Sequence, residues 1–390
     1  MKVTISDAIR YIGVDDTTID LFESQYVVPE GVSYNSYLIL DEKVALMDTV
    51  DARGAKEWEK NLMDTLAGRQ VDYLVISHLE PDHAGSIGRL VELFPEVTLV
   101  GNAKTFAMLP QFFPEGVMDC EKLTVKEGDT LSLGVHTLTF VMAPMVHWPE
   151  VMVSYESAEK VLFSADGFGK FGALGLTEEA DWACEARRYY FNIVGKYGNP
   201  VQALLKKAAT LDIQTICPLH GPVLKENLGY YIGLYDTWSK YEPENQGVLV
   251  AYASIHGNTA KAAEKLGEML REKGVEKVVV SDLSREDMAE VIEDAFRYDR
   301  MVLCAASYDG GVFPCMEDFL HHLQAKAYQK RTIGLVENGS WAPCANKTMR
   351  AIVDTFKDVT VVEPSVTIRS TLKESDMEAM EALASAIAEA

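Results

Sequence analysis

The regular alternation of short apolar runs with helical stretches in the carboxyl-terminal part of the chain constrains the fold most strongly. The apolar runs have the length of buried strands and occupy 247–254, 277–283, 301–307, 332–339 and 359–364. Helical stretches such as 259–274 separate them. Strands that are buried on both faces and joined by helices form a parallel sheet with helices on both sides. We therefore expect an open, doubly wound α/β sheet that binds its ligands at the carboxyl ends of the strands.

A polar segment at 241–247, YEPENQG, separates this region from the rest of the 390-residue chain. Roughly 240 residues precede the segment and roughly 140 follow it, and both lengths are typical of single domains. The segment contains Pro and Gly and lies between two strongly patterned regions. We predict a first domain at 1–245 and a second domain at 246–390.

The first domain combines many short strand patterns with a few helical patterns. The strand patterns occupy 33–41, 43–50, 71–77, 97–101, 136–144, 151–156 and 160–166. Helical patterns lie at 54–68 and 83–94. Runs of strands with interspersed helices favour a layered sandwich that has its sheets inside and its helices outside.

Composition excludes several classes of function. There are 36 basic and 59 acidic residues, and the formal net charge is −23. This charge disfavours nucleic acid and anionic membranes as partners. No apolar stretch approaches the roughly 18 residues of a membrane span, and the amino terminus lacks a signal-peptide core. The six cysteines form no C-x-x-C pair, which argues against a zinc ribbon, a rubredoxin-type iron site and a disulfide framework. We expect a soluble, cytoplasmic protein.

One group of residues has the chemistry of a metal site. The segment 78–83, HLEPDH, follows a predicted strand and carries four potential ligands: His78, Glu80, Asp82 and His83. Three further candidates, each at the end of an apolar run, are His147, Asp166 and His220. Loops at strand ends place functional side chains on a rigid scaffold. The alternative for 78–83 alone is a charged loop that caps a helix with Asp82.

A second group of residues indicates a phosphate site. The loop 254–259, SIHGNT, leads directly from the first strand of the second domain into a helix. Backbone N–H groups at a helix amino terminus bind phosphate without a lysine. The loop matches neither G-x-G-x-x-G nor G-K-[ST], which argues against a dinucleotide site or an NTPase. The alternative is a hydroxyl-rich helix cap. Two more strand-end loops, 306–311 and 337–341, would surround the same ligand.

The order HxExDH, H, D, H resembles the metallo-β-lactamase-like αββα domain of flavodiiron proteins. Zinc hydrolases of that superfamily usually carry His at the position of Glu80, and a set of carboxylates and imidazoles suits iron better than a zinc pair. The resemblance implies two non-haem irons, one held by His78, Glu80 and His147, the other by Asp82, His83 and His220, with Asp166 bridging them.

The second domain resembles flavodoxin, with strand order 2-1-3-4-5 and a loop similar to S/T-x-T-G-x-T. His256 and Asn258 are variations within that loop. The resemblance implies an FMN site formed by three loops, with the residues Ser254, His256, Gly257, Asn258, Thr259, Ser307, Tyr308, Asp309, Gly310, Gly339, Ser340 and Trp341. Tyr308 and Trp341 are the candidates to flank the flavin ring, and simple packing is the alternative for both.

Nearly the whole chain resembles the A-type flavodiiron proteins, which reduce dioxygen to water and/or nitric oxide to nitrous oxide. The resemblance implies an oxidoreductase with an external electron donor, rubredoxin or a deazaflavin, and a head-to-tail homodimer or a dimer of dimers. Tyr26 and Trp148 are candidates to line the gas pocket, although core packing explains them equally well. The sequence does not rank dioxygen against nitric oxide.

Two other functions remain as alternatives. One is a zinc-dependent hydrolase of the metallo-β-lactamase superfamily with an appended flavodoxin domain, which Glu80 disfavours. The other is an electron carrier or gas sensor without catalysis, which the full set of seven candidate ligands disfavours.

Overall fold

The computed structural model describes residues 5–113, 116–177 and 182–390. The chain forms two compact units: Met1–Tyr190 with Asn199–Asp236, and Phe191–Gly198 with Thr237–Ala390. The division lies close to the polar segment at 241–247. The second unit also includes Phe191–Gly198, a segment that lies between two parts of the first unit in the sequence. The sequence pattern does not indicate this.

The first unit contains the strands β1 (Ile9–Tyr11), β2 (Val14–Asp16), β3 (Leu21–Phe22), β4 (Tyr26–Val27), β5 (Val32–Tyr34), β6 (Tyr37–Leu40), β7 (Val44–Met47), β8 (Tyr73–Val75), β9 (Thr98–Asn102), β10 (Lys122–Val125), β11 (Thr130–Ser132), β12 (Thr137–Met142), β13 (Met152–Glu156), β14 (Val161–Phe163) and β15 (Thr215–Cys217). Its helices are α1 (Ala55–Leu66), α2 (Pro81–Ala84), α3 (Ile87–Leu93), α4 (Ala103–Met108), α5 (Trp182–Tyr189), α6 (Gly198–Ala208) and α7 (Leu228–Ser239), of which α6 and α7 each cross the division between the units.

Two sheets form the centre of this unit. One has the order β1-β6-β7-β8-β9-β10 and is parallel from β7 to β10, and the other has the order β11-β12-β13-β14-β15. Apolar side chains of both sheets share one core, including Tyr37 and Val75 from the first sheet and Phe140 and Phe163 from the second. The predicted sandwich with sheets inside is therefore confirmed. The unit also contains two small antiparallel sheets, β2-β5 and β3-β4.

The predicted helix at 83–94 is divided into α2 and α3. The break lies at Ser86, whose φ of −98° and ψ of 6° depart from helical values, whereas Gly85 keeps a helical φ of −58°. A Cβ atom at Gly85 would lie 2.5 Å from Pro81 O and 2.9 Å from Ala52 N, so this close approach requires glycine. Pro81 stands at the first position of α2, where its missing N–H has no helical partner to lose. The predicted strand at 33–41 is similarly divided into β5 and β6.

The second unit contains the strands β16 (Asn245–Ala253), β17 (Val278–Asp282), β18 (Tyr298–Tyr308), β19 (Gly311–Val312), β20 (Thr332–Asn338), β21 (Thr360–Val361) and β22 (Val366–Ile368). Its helices are α8 (Asn258–Glu272), α9 (Met288–Arg297), α10 (Pro314–Ala325), α11 (Ala345–Val353) and α12 (Met377–Glu389). Short 3-10 turns lie at Leu109–Gln111 and Val117–Asp119 in the first unit and at Gly195–Tyr197 and Glu374–Asp376 in the second, and a π-helical turn at Tyr190–Val194 crosses the division.

The main strands of the second unit form a parallel sheet with the order β17-β16-β18-β20-β21. This is the predicted order 2-1-3-4-5. The fifth strand has two pieces, because β21 pairs with the start of β20 and β22 with its end. Pro364 lies between the pieces and has no N–H to donate to the sheet. Among the described residues, no helix is both long enough and apolar enough to cross a membrane.

Candidate metal centre and flavin pocket

All seven predicted metal ligands lie in segments that follow strands of the first unit. His78 and Glu80 follow β8, Asp82 and His83 lie in α2, and the remaining three follow β12, β14 and β15. The buried strands place their carboxyl ends, and therefore these loops, at the same edge of the two sheets. The structure arranges the seven side chains as two adjacent groups.

The first ligand cluster consists of His78, Glu80, His147 and Asp166, whose ligand atoms all lie within 4.8 Å of one another. Glu80 Oε2 lies 3.1 Å from His78 Nε2 and 3.0 Å from His147 Nε2. Asp166 Oδ2 lies 3.5 Å from His78 Nε2 and 3.4 Å from His147 Nε2. Two imidazole nitrogens and two carboxylate oxygens thus face one point.

The second ligand cluster consists of Asp82, His83 and His220. Asp82 Oδ2 lies 3.2 Å from the Nε2 atoms of both histidines, and those two nitrogens are 3.0 Å apart. The second carboxylate oxygen of Asp166, Oδ1, faces this cluster at 3.3 Å from His83 Nε2 and 3.9 Å from His220 Nε2. Each oxygen of Asp166 therefore faces a different cluster, which is the geometry of a bridging carboxylate.

Buried carboxylate oxygens test whether the clusters fit metal ions. Within the described residues, both carboxylate oxygens of Asp82 and both of Asp166 are buried and make no hydrogen bond of good geometry. The imidazole nitrogens at 3.2 to 3.9 Å compensate these charges only when they are protonated, and a buried carboxylate without compensation is strongly unfavourable. A cation in each cluster would compensate these charges and would separate the facing imidazole nitrogens of His83 and His220. The donor set of imidazole and carboxylate suits iron, so the residues fit a diiron centre.

The ligands also change one another's pKa values. Burial lowers the pKa of His78, but the charge of Asp166 and hydrogen bonds to Glu150 and Glu80 raise it well above its usual range. Burial also lowers the pKa of His147, but the contacts of its ring with Asp166 and Glu80 raise this pKa to about 9. Burial raises the pKa of Asp166, yet the imidazoles of His147 and His78 hold it well below its usual range. The site favours positive charge, and metal ions would compete with protons for it.

Two residues that the sequence analysis missed hold the outer nitrogens of the ligands. His78 Nδ1 lies 2.8 Å from Glu150 Oε1, and His220 Nδ1 lies 2.8 Å from the backbone oxygen of Ser33. Such contacts fix the tautomer and the ring orientation of a metal-binding histidine. The only sequence signal for Glu150 is an acidic residue at the start of the apolar run 151–153.

Hydrogen bonds connect the loop that carries His220 to β6 and to the turn between β5 and β6. Asn35 Nδ2 donates hydrogen bonds to Pro218 O and Gly221 O, both at 2.8 Å, and the hydroxyl of Tyr37 donates to Pro218 O at 2.6 Å. Asn35 and Tyr37 are almost completely buried. The position of His220 therefore depends on contacts with a segment far away in the sequence.

The two predicted pocket aromatics have different positions. The Trp148 ring lies 5.0 Å from the His78 ring in an edge-on arrangement and also contacts Phe112. The Tyr26 ring contacts Phe171 at 6.1 Å. Phe22, which the sequence analysis missed, lies 5.4 Å from the His220 ring. Trp148 and Phe22 therefore bury the ligands directly, whereas Tyr26 belongs to the next layer of rings.

A cavity of about 530 Å³ lies at the carboxyl ends of β16, β18 and β20. This volume is within the usual range for small-ligand and cofactor sites. Its lining contains ten of the twelve predicted flavin residues: His256, Asn258, Thr259, Ser307, Tyr308, Asp309, Gly310, Gly339, Ser340 and Trp341. Ile255, Ala306 and Asn338, which lie in the three predicted loops, also line it. The residues that the sequence analysis missed are Ala342, Cys344 and Ser370.

The other two predicted residues, Ser254 and Gly257, shape the loop from outside the cavity lining. Ser254 Oγ accepts a hydrogen bond from Gly257 N at 3.1 Å, and Gly257 has a φ of 85°. Within the described residues, no side chain caps the start of α8. Its first N–H groups are thus available for a phosphate, and this observation fits FMN.

The remaining pocket residues divide into supporting and exposed groups. The Ser307 hydroxyl accepts hydrogen bonds from Cys344 N and Ala345 N at the start of α11, at 2.9 and 3.1 Å. Tyr308 and Trp341 are 45% and 89% exposed, so both side chains stand at the mouth of the cavity. Their position is compatible with contacts to a flavin ring.

The fold and the two sites define a class of protein: a dinuclear metal centre in a metallo-β-lactamase-like unit, followed by a flavodoxin-like unit with a cofactor cavity. Comparisons agree with this class. Residues 32–221 match the family described as ODP family beta lactamase, and residues 249–368 match the family described as flavodoxin domain.

Relatives and solved structures identify the family. An uncharacterised protein of Methanocaldococcus jannaschii is 30% identical over 97% of this chain and 95% of its own length. The nitric oxide reductase of Moorella thermoacetica is 29% identical over 96% and 95%. Rubredoxin oxygen:oxidoreductase from Desulfovibrio gigas has a TM-score of 0.92 and 26% identity, over 100% of this chain and 98% of its own. The chain belongs to the flavodiiron protein family, a family of oxidoreductases. The predicted fold class and family are confirmed.

Proposed function

We propose that this chain reduces dioxygen to water, nitric oxide to nitrous oxide, or both, at two irons, with electrons that FMN relays from an external donor. The observation that carries the proposal is the position of Asp166, whose two oxygens face two ligand clusters of mixed imidazole and carboxylate character. The cavity beside α8 in the second unit supports the flavin part of the proposal.

Some residues of the site would bind the metal ions, and others exclude water from them. His78, Glu80 and His147 would hold one iron, Asp82, His83 and His220 the other, and Asp166 would contact both. When bound, two ferrous ions and a two-electron-reduced FMN together hold the four electrons that the reduction of dioxygen to water requires. Trp148 and Phe22 cover the imidazoles with apolar surface, which strengthens electrostatic interactions within the site.

Rubredoxin, or a similar small electron donor, is the donor that we propose. Support comes from the name of the Desulfovibrio gigas relative. A deazaflavin remains the alternative. Five cysteines, Cys120, Cys217, Cys304, Cys315 and Cys344, are free thiols in the structure. Free thiols are expected in a reducing compartment, and we propose a cytoplasmic location.

We also propose a head-to-tail homodimer, or a dimer of such dimers. The ligand clusters and the flavin cavity belong to different units of the chain. In a head-to-tail dimer, the flavin of one chain would transfer electrons to the irons of its partner.

The test begins with metal and FMN analysis of the purified protein, followed by anaerobic reduction with rubredoxin and measurement of dioxygen and nitric oxide consumption. We expect two irons and one FMN per chain. The variant Asp166→Ala removes an oxygen from each cluster. It should lose consumption of both gases by more than about 100-fold, since even supporting residues of metal sites contribute about 10- to 100-fold, while it keeps its FMN.

The control is Asp212→Ala, which removes an exposed aspartate that pairs with Lys160. This variant should consume both gases at the rate of the unmodified protein. Two zincs with hydrolytic activity would instead support the hydrolase. Undiminished gas consumption in Asp166→Ala would refute the proposed site.

A further inference from the structure

The two ligand clusters differ in what supports their histidines. His78 of the first cluster directs Nδ1 at a carboxylate oxygen, Glu150 Oε1, at 2.8 Å. His220 of the second cluster directs Nδ1 at a neutral peptide oxygen, Ser33 O, at the same distance. Within the described residues, Nδ1 of His83 makes no hydrogen bond. An anionic acceptor therefore supports a histidine of the first cluster, and neither histidine of the second cluster has one on its Nδ1.

Glu150 is held in place for this contact and belongs to neither cluster. Its side chain is completely buried. The oxygen that faces His78 also accepts a hydrogen bond from Leu79 N at 3.0 Å. Asn102 Nδ2 donates to the backbone oxygen of Glu150 at 2.6 Å. One oxygen of the carboxylate is thus held by Leu79 N, and the backbone of Glu150 is held by Asn102. Among the described residues, the carboxylate contacts the metal ligands only at the ring of His78.

We propose that Glu150 is a positioning residue that makes the two irons inequivalent: it strengthens His78 as a ligand, so the first cluster binds its iron more tightly than the second. The proposal rests on the iron site proposed above. A carboxylate attracts the Nδ1 proton more strongly than a peptide carbonyl does, which increases the electron density at Nε2 and fixes the ring. A more basic ligand also favours the ferric state, so the iron of the first cluster should have the lower reduction potential.

The first experiment measures iron release from the FMN-loaded and iron-loaded protein in the presence of a ferrous chelator under anaerobic conditions. The unmodified protein should release its two irons in two phases. Glu150→Ala should accelerate the slow phase by about 10- to 100-fold and leave the fast phase unchanged. Glu150→Gln keeps an oxygen that can accept from His78 and Leu79 but lacks the charge, so its slow phase should accelerate by less.

Glu156→Gln is the matched control. Glu156 is also completely buried, and it lies on β13, six residues after Glu150 in the sequence. Its carboxylate accepts hydrogen bonds from Ala158 N and Glu159 N, both at 2.7 Å, and contacts no metal ligand among the described residues. Its release curve should equal that of the unmodified protein. FMN content and circular dichroism check the folding of every variant.

The second experiment uses Mössbauer spectra of protein loaded with ⁵⁷Fe in the diferric state. We expect two quadrupole doublets of equal area in the unmodified protein and a shift of only one of them in Glu150→Gln. A single release phase in the unmodified protein, equal changes of both irons, or the same effect in Glu156→Gln would overturn the proposal. Two bound irons without gas consumption would refute the proposed function and leave this inference standing, whereas a protein that binds no iron would overturn both.

Discussion

At the scale of single residues, the structure separates histidines that meet at the metal clusters from those with other partners. His136 lies outside both clusters: its Nδ1 is 2.8 Å from Asp41 Oδ2, and its Nε2 is 3.3 Å from Glu159 Oε1. Burial lowers the pKa of His136, but the hydrogen bonds to Asp41 and Glu159 raise it above its usual value. Burial raises the pKa of Asp41, but hydrogen bonds with the backbone N–H and the ring of His136 hold it below its usual value.

The His136 contact should make the stability of the first unit depend on pH. A histidine with a raised pKa stabilises the folded state fully at pH values below its unfolded pKa of about 6.5, and this stabilisation disappears as the pH rises through the folded-state pKa. The difference in unfolding free energy between the unmodified protein and His136→Gln should therefore be larger at pH 6 than at pH 9. Urea unfolding followed by tryptophan fluorescence measures it.

His322→Gln is the comparison variant, because the pKa of His322 is shifted in the opposite direction to that of His136. Burial lowers the pKa of His322 and outweighs the charge of Asp318, so deprotonation favours the folded state at this position. Its stability difference should not increase towards pH 6. Equal differences at pH 6 and pH 9 for His136→Gln would contradict the prediction.

At the scale of secondary structure, one side chain connects a helix terminus to the metal site. Asn102 ends β9 and caps α4, because its Oδ1 accepts hydrogen bonds from Lys104 N and Thr105 N at 2.9 and 3.1 Å. The other end of the same amide donates to Glu150 O. The start of α4 and the position of Glu150 therefore depend on a single residue.

Asn102→Ala should lower the unfolding free energy of the first unit by about 2 kcal/mol, of which about 1 kcal/mol comes from the lost cap and about 1 kcal/mol from the unpaired carbonyl. Asp287→Ala removes the cap of α9, where Asp287 accepts a hydrogen bond from Ala289 N, and should cost about 1 kcal/mol. Chemical denaturation compares the two, and iron release should be faster only in Asn102→Ala. Equal losses of stability and equal iron release would show that the link to Glu150 is unimportant.

At the scale of the molecule, each unit carries one of the two cofactor sites. The ligand clusters lie in the first unit and the flavin cavity in the second. If the protein is a head-to-tail dimer, a chain without irons and a chain without FMN should complement each other. A protein that transfers electrons within one chain would not show this behaviour.

Mixing two inactive variants tests this arrangement. Asp166→Ala removes the shared metal ligand, and Asn258→Asp places a negative charge where the first residue of α8 lines the flavin cavity, so it should repel the FMN phosphate without weakening the helix. After dissociation and reassociation, half of the dimers are mixed. Each mixed dimer has two flavin–iron pairs, of which one is functional: the FMN of the Asp166→Ala chain with the irons of the Asn258→Asp chain. About a quarter of the unmodified activity should return. No recovery, with mixed dimers demonstrated by mass spectrometry, would argue for transfer within one chain.

Most of the architecture follows from patterns within short segments. The alternation of buried strands and helices predicts the parallel sheet and its order, because each strand and its crossover are encoded locally. The candidate ligands could be recognised for the same reason: His78, Glu80, Asp82 and His83 lie within six residues at the end of one strand. His147, Asp166 and His220 also follow apolar runs, and the tertiary structure brings them to the same place.

Other features depend on contacts between distant segments and leave little trace in local sequence. Glu150 meets His78 across 72 residues, and Ser33 meets His220 across 187 residues. The very short strands β1 to β4 and the assignment of Phe191–Gly198 to the second unit are of the same kind. The sequence thus specifies which groups can bind metal and flavin, since residue type and strand-end position are local properties. Which neighbours orient each ligand, and hence how the two clusters differ, is decided by packing between segments that only the folded chain brings together.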